Sequence, residues 1–151
     1  MNMKKIGTIE NNFVVYWKSK GHFRVEFQHD GHTISLADFD YYPRLSEETS
    51  AFSANLILDG IMVGDCSNEG RGGCASYHAF NHWDLAREID SMLRDMDNYI
   101  FPSMKLSLYD VIDNLANYTI TFGEMKSKKM AEQAVAELQE YADNLKLKYS
   151  H

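Results

Sequence analysis

The sequence lacks a run of the roughly 20 apolar residues that an α-helix needs to cross a bilayer. Its first residues, MNMKKIGTIENN, include two lysines but no apolar segment behind them, so they do not predict a secretory signal. Together these two absences predict a cytoplasmic protein that has no membrane partner.

Basic residues are also too few for one large class of proteins. The chain has 15 lysines and arginines against 22 aspartates and glutamates, which gives a formal net charge of −7. A protein that binds DNA or RNA nonspecifically normally carries a basic surface, because neutralising phosphates supplies most of its affinity. The composition therefore argues against an extended nucleic acid as a partner.

Cysteine is scarce as well. The two cysteines, Cys66 and Cys74, lie on either side of a glycine-rich segment. A disulfide across a hairpin is geometrically conceivable there, but the cytosol keeps thiols reduced. We therefore expect two free thiols that are buried as small apolar side chains.

Motifs that would assign a catalytic residue are missing. The sequence contains no HExxH, CxxC or GxSxG, and its glycine-rich segment is neither a P-loop nor a dinucleotide-binding fingerprint. His78 and His82, with Cys74 or Asp84, are the set best able to converge on a metal, which leaves a small metal-dependent hydrolase as an open alternative. We predict no catalytic residue, no metal ligand and no cofactor.

The first half of the chain is rich in strand signals. Its 151 residues, 44% of them hydrophobic, are enough for one domain with a substantial core. Phe23, Val25 and Phe27 alternate with polar residues, which is typical of an antiparallel strand with one buried face. Asp-Gly dipeptides at 30–31 and 59–60 predict hairpin turns. The predicted strands are 13–17, 22–27, 33–36, 52–58, 61–63 and 74–80, and residues 37–50 are predicted to form a loop.

The second half has helical periodicity. Strands followed by helices favour an α+β fold, a mostly antiparallel sheet from the N-terminal half with the C-terminal helices packed on one face. We predict a single domain over 1–151, strand-rich over 1–80 and helix-rich over 81–151. Residues 118–122 are β-prone and predict a short extra strand. The predicted helices are 83–96, 107–115 and 127–148, with Asn81, Ser107 and Ser127 as N-caps.

Five of the nine glycines lie between residues 59 and 78. Successive backbone amides in such a loop form an anion-binding concavity, and Arg71 adds a fixed cation. This pattern predicts a site for a small anionic, phosphate-bearing ligand. The alternative is a wide hairpin loop whose glycines serve geometry only. The predicted ligand-binding residues are Asn68, Gly70, Arg71, Gly72 and Gly73, with Tyr77 or Tyr41 stacking on a ring.

The same segment resembles small proteins encoded by phages and prophages. The resemblance is carried by an aromatic-led strand and an Asp-Gly turn, followed by an Asn-x-Gly-x-Gly-Gly loop and an aromatic strand. It covers about 30 residues and implies a mobile-element origin without implying an activity. The matching residues are Phe52, Asp59, Gly60, Gly64, Asn68, Gly70, Gly72, Gly73 and Tyr77.

Two functions follow as leading hypotheses. The first is a non-enzymatic accessory protein in the host cytosol that sequesters a nucleotide-like ligand or host signal through the glycine loop. The second is an interaction module that inhibits a host defence protein, with the aromatic segment 38–43 and the acidic surface as its interface. On the last predicted helix, Ala134, Leu138, Tyr141 and Leu145 form a stripe that is compatible with a homodimer seam or with packing on the sheet.

Overall fold

A computed structural model describes residues 3–150 as an antiparallel sheet followed by helices. The seven strands lie in the sheet in the same order as in the chain, and every neighbouring pair is antiparallel. The strands are β1 (Lys4–Ile9), β2 (Phe13–Ser19), β3 (His22–His29), β4 (His32–Tyr41), β5 (Phe52–Leu58), β6 (Ile61–Asn68) and β7 (Ser76–Ala79). The helices are α1 (Trp83–Arg94), α2 (Leu108–Gly123) and α3 (Lys128–Tyr149), and a short 3-10 helix spans Pro43–Leu45.

The predicted fold class is confirmed, and its local signals act as expected. At the β5–β6 turn, Asp59 and Gly60 have φ angles of +52° and +79°, which is the left-handed geometry of a two-residue hairpin. Ser107 and Asp110 form a reciprocal capping box at the start of α2. The Ser127 side chain accepts a hydrogen bond from the amide of Met130 and caps α3.

One hydrophobic core lies between the sheet and the helices. β5 shows the alternation most clearly, because Phe52, Ala54, Leu56 and Leu58 are buried while the residues between them are not. Helix α2 packs against β3 and β4, and α3 packs against β1 and β2. The opposite face of the sheet carries mostly polar side chains.

Two predictions along the chain are wrong. The predicted loop over 37–50 begins later, because β4 continues to Tyr41 through an irregularity at Asp38, and Phe39 then stacks on Phe52 at 5.5 Å. The predicted strand over 118–122 is the last part of α2. The Thr119 hydroxyl donates to the Leu115 carbonyl at 2.7 Å, so the polar group of this β-branched residue is satisfied within the helix.

The ends of α1 and the buried face of α3 also differ from prediction. Residue His82, in a left-handed conformation, precedes α1 in place of the predicted cap Asn81. In α3, Tyr141 is 61% exposed, whereas the buried residues are Ala131, Ala134, Val135 and Ala142. Small side chains face the sheet because α3 approaches it closely: a Cβ on Gly7 would lie 2.6 Å from Val135 Cγ1.

None of the helices within residues 3–150 combines the length and the apolar character that a bilayer-spanning helix requires.

Candidate functional site

Asn68, the last residue of β6, is the hydrogen-bond centre of the glycine loop. It is 7% exposed, and its amide group is fully used within the protein. Oδ1 accepts hydrogen bonds from the amide of Gly70 at 2.8 Å and from the hydroxyl of Thr49 at 3.0 Å. Nδ2 donates to the carbonyl oxygen of Gly73 and to the carboxylate of Asp113, both at 3.0 Å. Asn68 therefore anchors the loop to α2 and to the segment before β5.

Gly70 is required by close packing as well as by its backbone angle. Its φ is +85°, and a Cβ there would lie 2.3 Å from the carbonyl oxygen of Leu45. Its own carbonyl accepts hydrogen bonds from the amides of Glu47 and Glu48, at 2.9 and 3.0 Å. The glycine at position 70 is therefore explained by the geometry of the loop, without a ligand.

Two further amides of this loop also donate inside the protein. The amide of Gly72 donates to Thr49 Oγ1 at 3.3 Å, and that of Ala75 donates to Asp113 Oδ2 at 2.8 Å. Burial raises the pKa of Asp113, and the hydrogen bonds from Ala75 and Asn68 oppose that shift. The loop thus directs donors toward a carboxylate of its own chain, and phosphate binding here stays a prediction.

Arg71 is exposed and lines a surface cavity of about 270 Å³ with Asn68, Gly73 and other loop residues. The two predicted stacking residues lie elsewhere. Tyr77 faces α2, where its ring centroid is 5.0 Å from that of Tyr109. Tyr41 lines a separate cavity beside α2. The structure therefore gathers the polar part of the predicted site but brings neither tyrosine to it.

The cysteines are free thiols, as predicted, but only one is buried. Burial raises the pKa of the Cys66 thiol to about 12, and the nearby carboxylates of Asp65 and Asp113 add to the shift. Cys74 is exposed, because it lies in the loop ahead of β7. The expectation that both thiols are buried is wrong for Cys74.

The two histidines considered as metal ligands, His78 and His82, have different surroundings in the structure. His78 Nδ1 lies 3.3 Å from a carboxylate oxygen of Asp65 on the neighbouring strand, and His82 is the N-cap of α1. Within residues 3–150, no three His, Cys, Asp or Glu side chains are grouped so that they could hold a metal ion.

A second cavity, which sequence reasoning missed, lies at one end of the sheet. It has a volume of about 410 Å³ and is referred to below as the turn cavity. It is bounded by the β1–β2 turn, the end of β3, the connection between α1 and α2, and the middle of α2. Its lining residues are Glu10, Asn11, Asn12, Phe13, Phe27, His29, Met96, Asp97, Asn98, Tyr99, Leu106 and Asn114.

Glu10 is the most unusual residue of the turn cavity. It is 8% exposed, and its φ of +53° is a left-handed conformation that a glutamate rarely adopts. The Tyr118 hydroxyl donates a hydrogen bond to Oε2. Burial raises the pKa of the Glu10 carboxyl, and the hydrogen bond from Tyr118 acts in the opposite direction.

Side chains from two helices hold Glu10 in place. The ring of Tyr118 packs edge-on against Phe13, with centroids 5.2 Å apart. The Glu10 amide donates to Gln139 Oε1 at 2.7 Å, and Gln139 Nε2 in turn donates to the Tyr99 hydroxyl at 3.0 Å. The carboxyl is therefore fixed by contacts with α2, while α3 fixes the backbone of the turn.

The sequence offers little signal for this site. Residues 10–12 are an ordinary polar turn between two strands, and nothing near them distinguishes Glu10 from a solvated glutamate. Its burial depends on Tyr118 and Gln139, which are 108 and 129 positions further along the chain. The cavity itself forms only where α2 and the connection before it meet the β1–β2 turn and the end of β3.

Comparisons of this chain with protein-family models, with curated proteins and with solved structures find no match. The case for a function therefore depends on the geometry of these two sites.

Proposed function

We propose that this protein binds a small polar molecule in the turn cavity. The observation that carries the proposal is Glu10, a residue that lines the cavity and whose buried carboxyl group has no ion-pair partner within residues 3–150. The cavity volume of about 410 Å³ lies within the usual range for sites that bind small organic molecules.

Stability alone does not account for Glu10. Burying a carboxyl group without a cation costs free energy, and an apolar side chain of similar size would avoid that cost. The left-handed backbone of the same residue adds a cost of order 1 kcal/mol. A residue that carries both costs and lines a cavity is typical of a binding site.

Most of the residues that line the cavity are polar, and four of them are asparagines. Tyr99 is the aromatic lining residue that keeps accessible surface, because Phe13 and Phe27 are almost fully buried, and the asparagines and Glu10 are among the polar lining residues. The glycine loop is the competing site, but the amides of Gly70 and Gly72 already have partners inside the protein.

A thermal-shift screen with nucleotides, sugars, amines and organic acids tests the proposal. A ligand at one hundred times its dissociation constant stabilises the folded state by about 2.7 kcal/mol, which is readily measured. We expect a stabilising compound whose effect is weakened by Glu10→Gln and unchanged by Arg71→Ala. The reverse pattern assigns binding to the glycine loop, and the absence of any stabilising compound contradicts the proposal.

A second candidate function has an observation of its own. Four large apolar side chains are exposed at one end of the β6–β7 pair: Ile61, Met62, Phe80 and Trp83. The amide of Phe80 donates to the Val63 carbonyl at 2.8 Å, which brings the two chain segments together. An exposed apolar cluster beside an edge strand favours the alternative of an interaction module that binds a host protein.

The double variant Phe80→Ser/Trp83→Ser tests this candidate. Phe80 and Trp83 are 60% and 56% exposed, so we expect the fold to tolerate both changes. Capture of a host protein at a fixed stoichiometry by the wild type, with loss in the variant, supports the second candidate. Equal capture by both proteins counts against this cluster as the interface.

A further inference from the structure

We infer that the molecule bound in the turn cavity carries a compact cation, an ammonium or guanidinium group, that pairs with Glu10. This inference rests on the proposed function and specifies the chemistry of the same site. It differs from the sequence-based expectation of a phosphate-bearing ligand, which concerns the glycine loop.

The charges of the cavity wall support a cation. The residues that line it include the carboxylates of Glu10 and Asp97, and none of the described lining residues is a lysine or an arginine. Asp97 already has a partner, because Lys105 Nζ lies 2.6 Å from its Oδ1. Glu10 is left as the buried acidic group without one.

The hydrogen bonds of Glu10 also leave room for such a ligand. Tyr118 donates to Oε2, and no described protein group donates to Oε1. Within the described part of the chain, every side-chain oxygen that has no hydrogen-bond partner keeps some contact with solvent. Oε1 therefore keeps some accessible surface, and we place the incoming donor in the cavity that Glu10 lines.

The rest of the wall suits the body of an organic cation. Tyr99 is half-buried and keeps accessible surface on this wall, and aromatic faces attract cations by about 0.5–2 kcal/mol. The Tyr99 ring already attracts one cation, because Lys146 Nζ lies 4.5 Å from its centroid. His29 is the remaining titratable group on the wall, and its imidazole is an acceptor when neutral.

Three probes of matched size and different charge test the inference: benzylammonium, benzyl alcohol and benzoate. Amide chemical shifts followed by NMR report both the affinity and the location of binding. We expect shifts around residues 10–13 and 96–99 and a preference for benzylammonium over benzyl alcohol of about ten-fold, which corresponds to about 1.4 kcal/mol. Benzoate is expected to bind most weakly.

Variants separate the Glu10 contact from the general acidity of the protein. Glu10→Gln should remove the preference for benzylammonium over benzyl alcohol. Tyr118→Phe should reduce the preference, because it removes a hydrogen bond that favours the ionised carboxyl. Asp65→Asn, which removes a carboxylate on the opposite face of the sheet, is the matched control and should change nothing.

Each outcome has one meaning. Equal or tighter binding of benzyl alcohol or benzoate in the cavity, or a preference that survives in Glu10→Gln, overturns the cationic ligand and leaves the proposed function standing. No binding by any probe at high millimolar concentration overturns the proposed function too, because a cavity of this size that admits none of three small aromatic molecules is not a small-molecule site.

Discussion

Among single residues, Glu10 makes the stability of the folded protein depend on pH. Burial raises the pKa of its carboxyl above the ordinary value of 4.5. Between the unfolded and the folded pKa, the folded protein holds more protons than the unfolded chain. The free energy of unfolding therefore falls as pH rises through that interval and then becomes constant. This contribution to stability is fully present below the ordinary value and is lost above the raised one.

The variant Glu10→Gln should remove this contribution, because glutamine keeps an acceptor for Tyr118 but does not ionise. We expect the variant to become progressively more stable than the wild type as pH rises above 4.5. Urea unfolding at a series of pH values measures the difference. With Asp65→Asn as a control for an exposed carboxylate, a difference for Glu10→Gln that is independent of pH contradicts the burial argument.

Gly64 has the least space of the described glycines. A Cβ at this position would lie 1.8 Å from the carbonyl oxygen of His78, which belongs to the backbone of the neighbouring strand. Because the strands are paired there, neither backbone can move without breaking the ladder. We expect Gly64→Ala to lower the free energy of unfolding by about 3 kcal/mol, measured by chemical denaturation.

Gly73 provides the control for Gly64 within the same segment. A Cβ at Gly73 would meet no atom within 4 Å, so Gly73→Ala should change stability by less than about 0.5 kcal/mol. If the two variants lose similar amounts of stability, the close contact at Gly64 is not the cause of its effect.

At the scale of secondary-structure elements, α3 lies close against the sheet at Gly7. The Cβ of Gly7→Ala would lie 2.6 Å from Val135 Cγ1, and a β-branched side chain has few rotamers with which to move away. We expect Gly7→Ala to destabilise the protein by about 1–3 kcal/mol, as overpacking usually does.

The double variant Gly7→Ala/Val135→Ala identifies the cause. If the clash with Val135 is responsible, the double variant should be more stable than the sum of the two single changes predicts, with a coupling of at least about 0.5 kcal/mol. If the free-energy changes of the two single variants sum to that of the double variant, the destabilisation by Gly7→Ala arises within β1 and not from contact with Val135. The same cycle also tests which surface α3 packs against. If this face of α3 packed against a second copy of the chain instead of the sheet, Gly7 and Val135 would not be in contact and the effects of the two substitutions would be additive.

Elements were predictable where the signal was local. The alternation in β3, the Asp-Gly turns and the serine caps each act within a few residues, and the structure confirms them. Residues 118–122 show the limit. Their β-branched and aromatic side chains favour a strand, but burial of Phe122 under Phe23 in the core favours a helix, and that contact spans most of the chain.

The candidate sites divide in the same way. The glycine loop was visible because its glycines and Asn68 are close in sequence, yet its chemistry depends on Asp113 of α2. The turn cavity left no such trace, because Glu10 becomes unusual only through Tyr118 and Gln139.

At the scale of the whole molecule, sheet and helices share a single buried cluster that extends from Ile9 in β1 to Val135 in α3. Elements that bury each other's apolar faces cannot unfold separately, because loss of either one exposes the other to water. We therefore expect one cooperative unfolding transition.

Two probes test this expectation. Trp17 is 4% exposed in the sheet, whereas Trp83 is 56% exposed, so fluorescence in a Trp83→Phe background follows the core beside β2. Far-UV circular dichroism follows mainly the helices. The two urea transitions should coincide in midpoint, and loss of the helical signal ahead of the Trp17 signal would contradict a single unit.

The order of the strands in the sheet has a consequence for how the chain reaches its native state. Each strand pairs with the one synthesised just before it, and the longest connection between paired strands is residues 42–51. Loop-closure entropy rises with the length that must be closed, so short connections lower the barrier to assembly. We expect refolding at the fast end of the range for sheets of this size, with hairpins able to form while the C-terminal helices are still being translated.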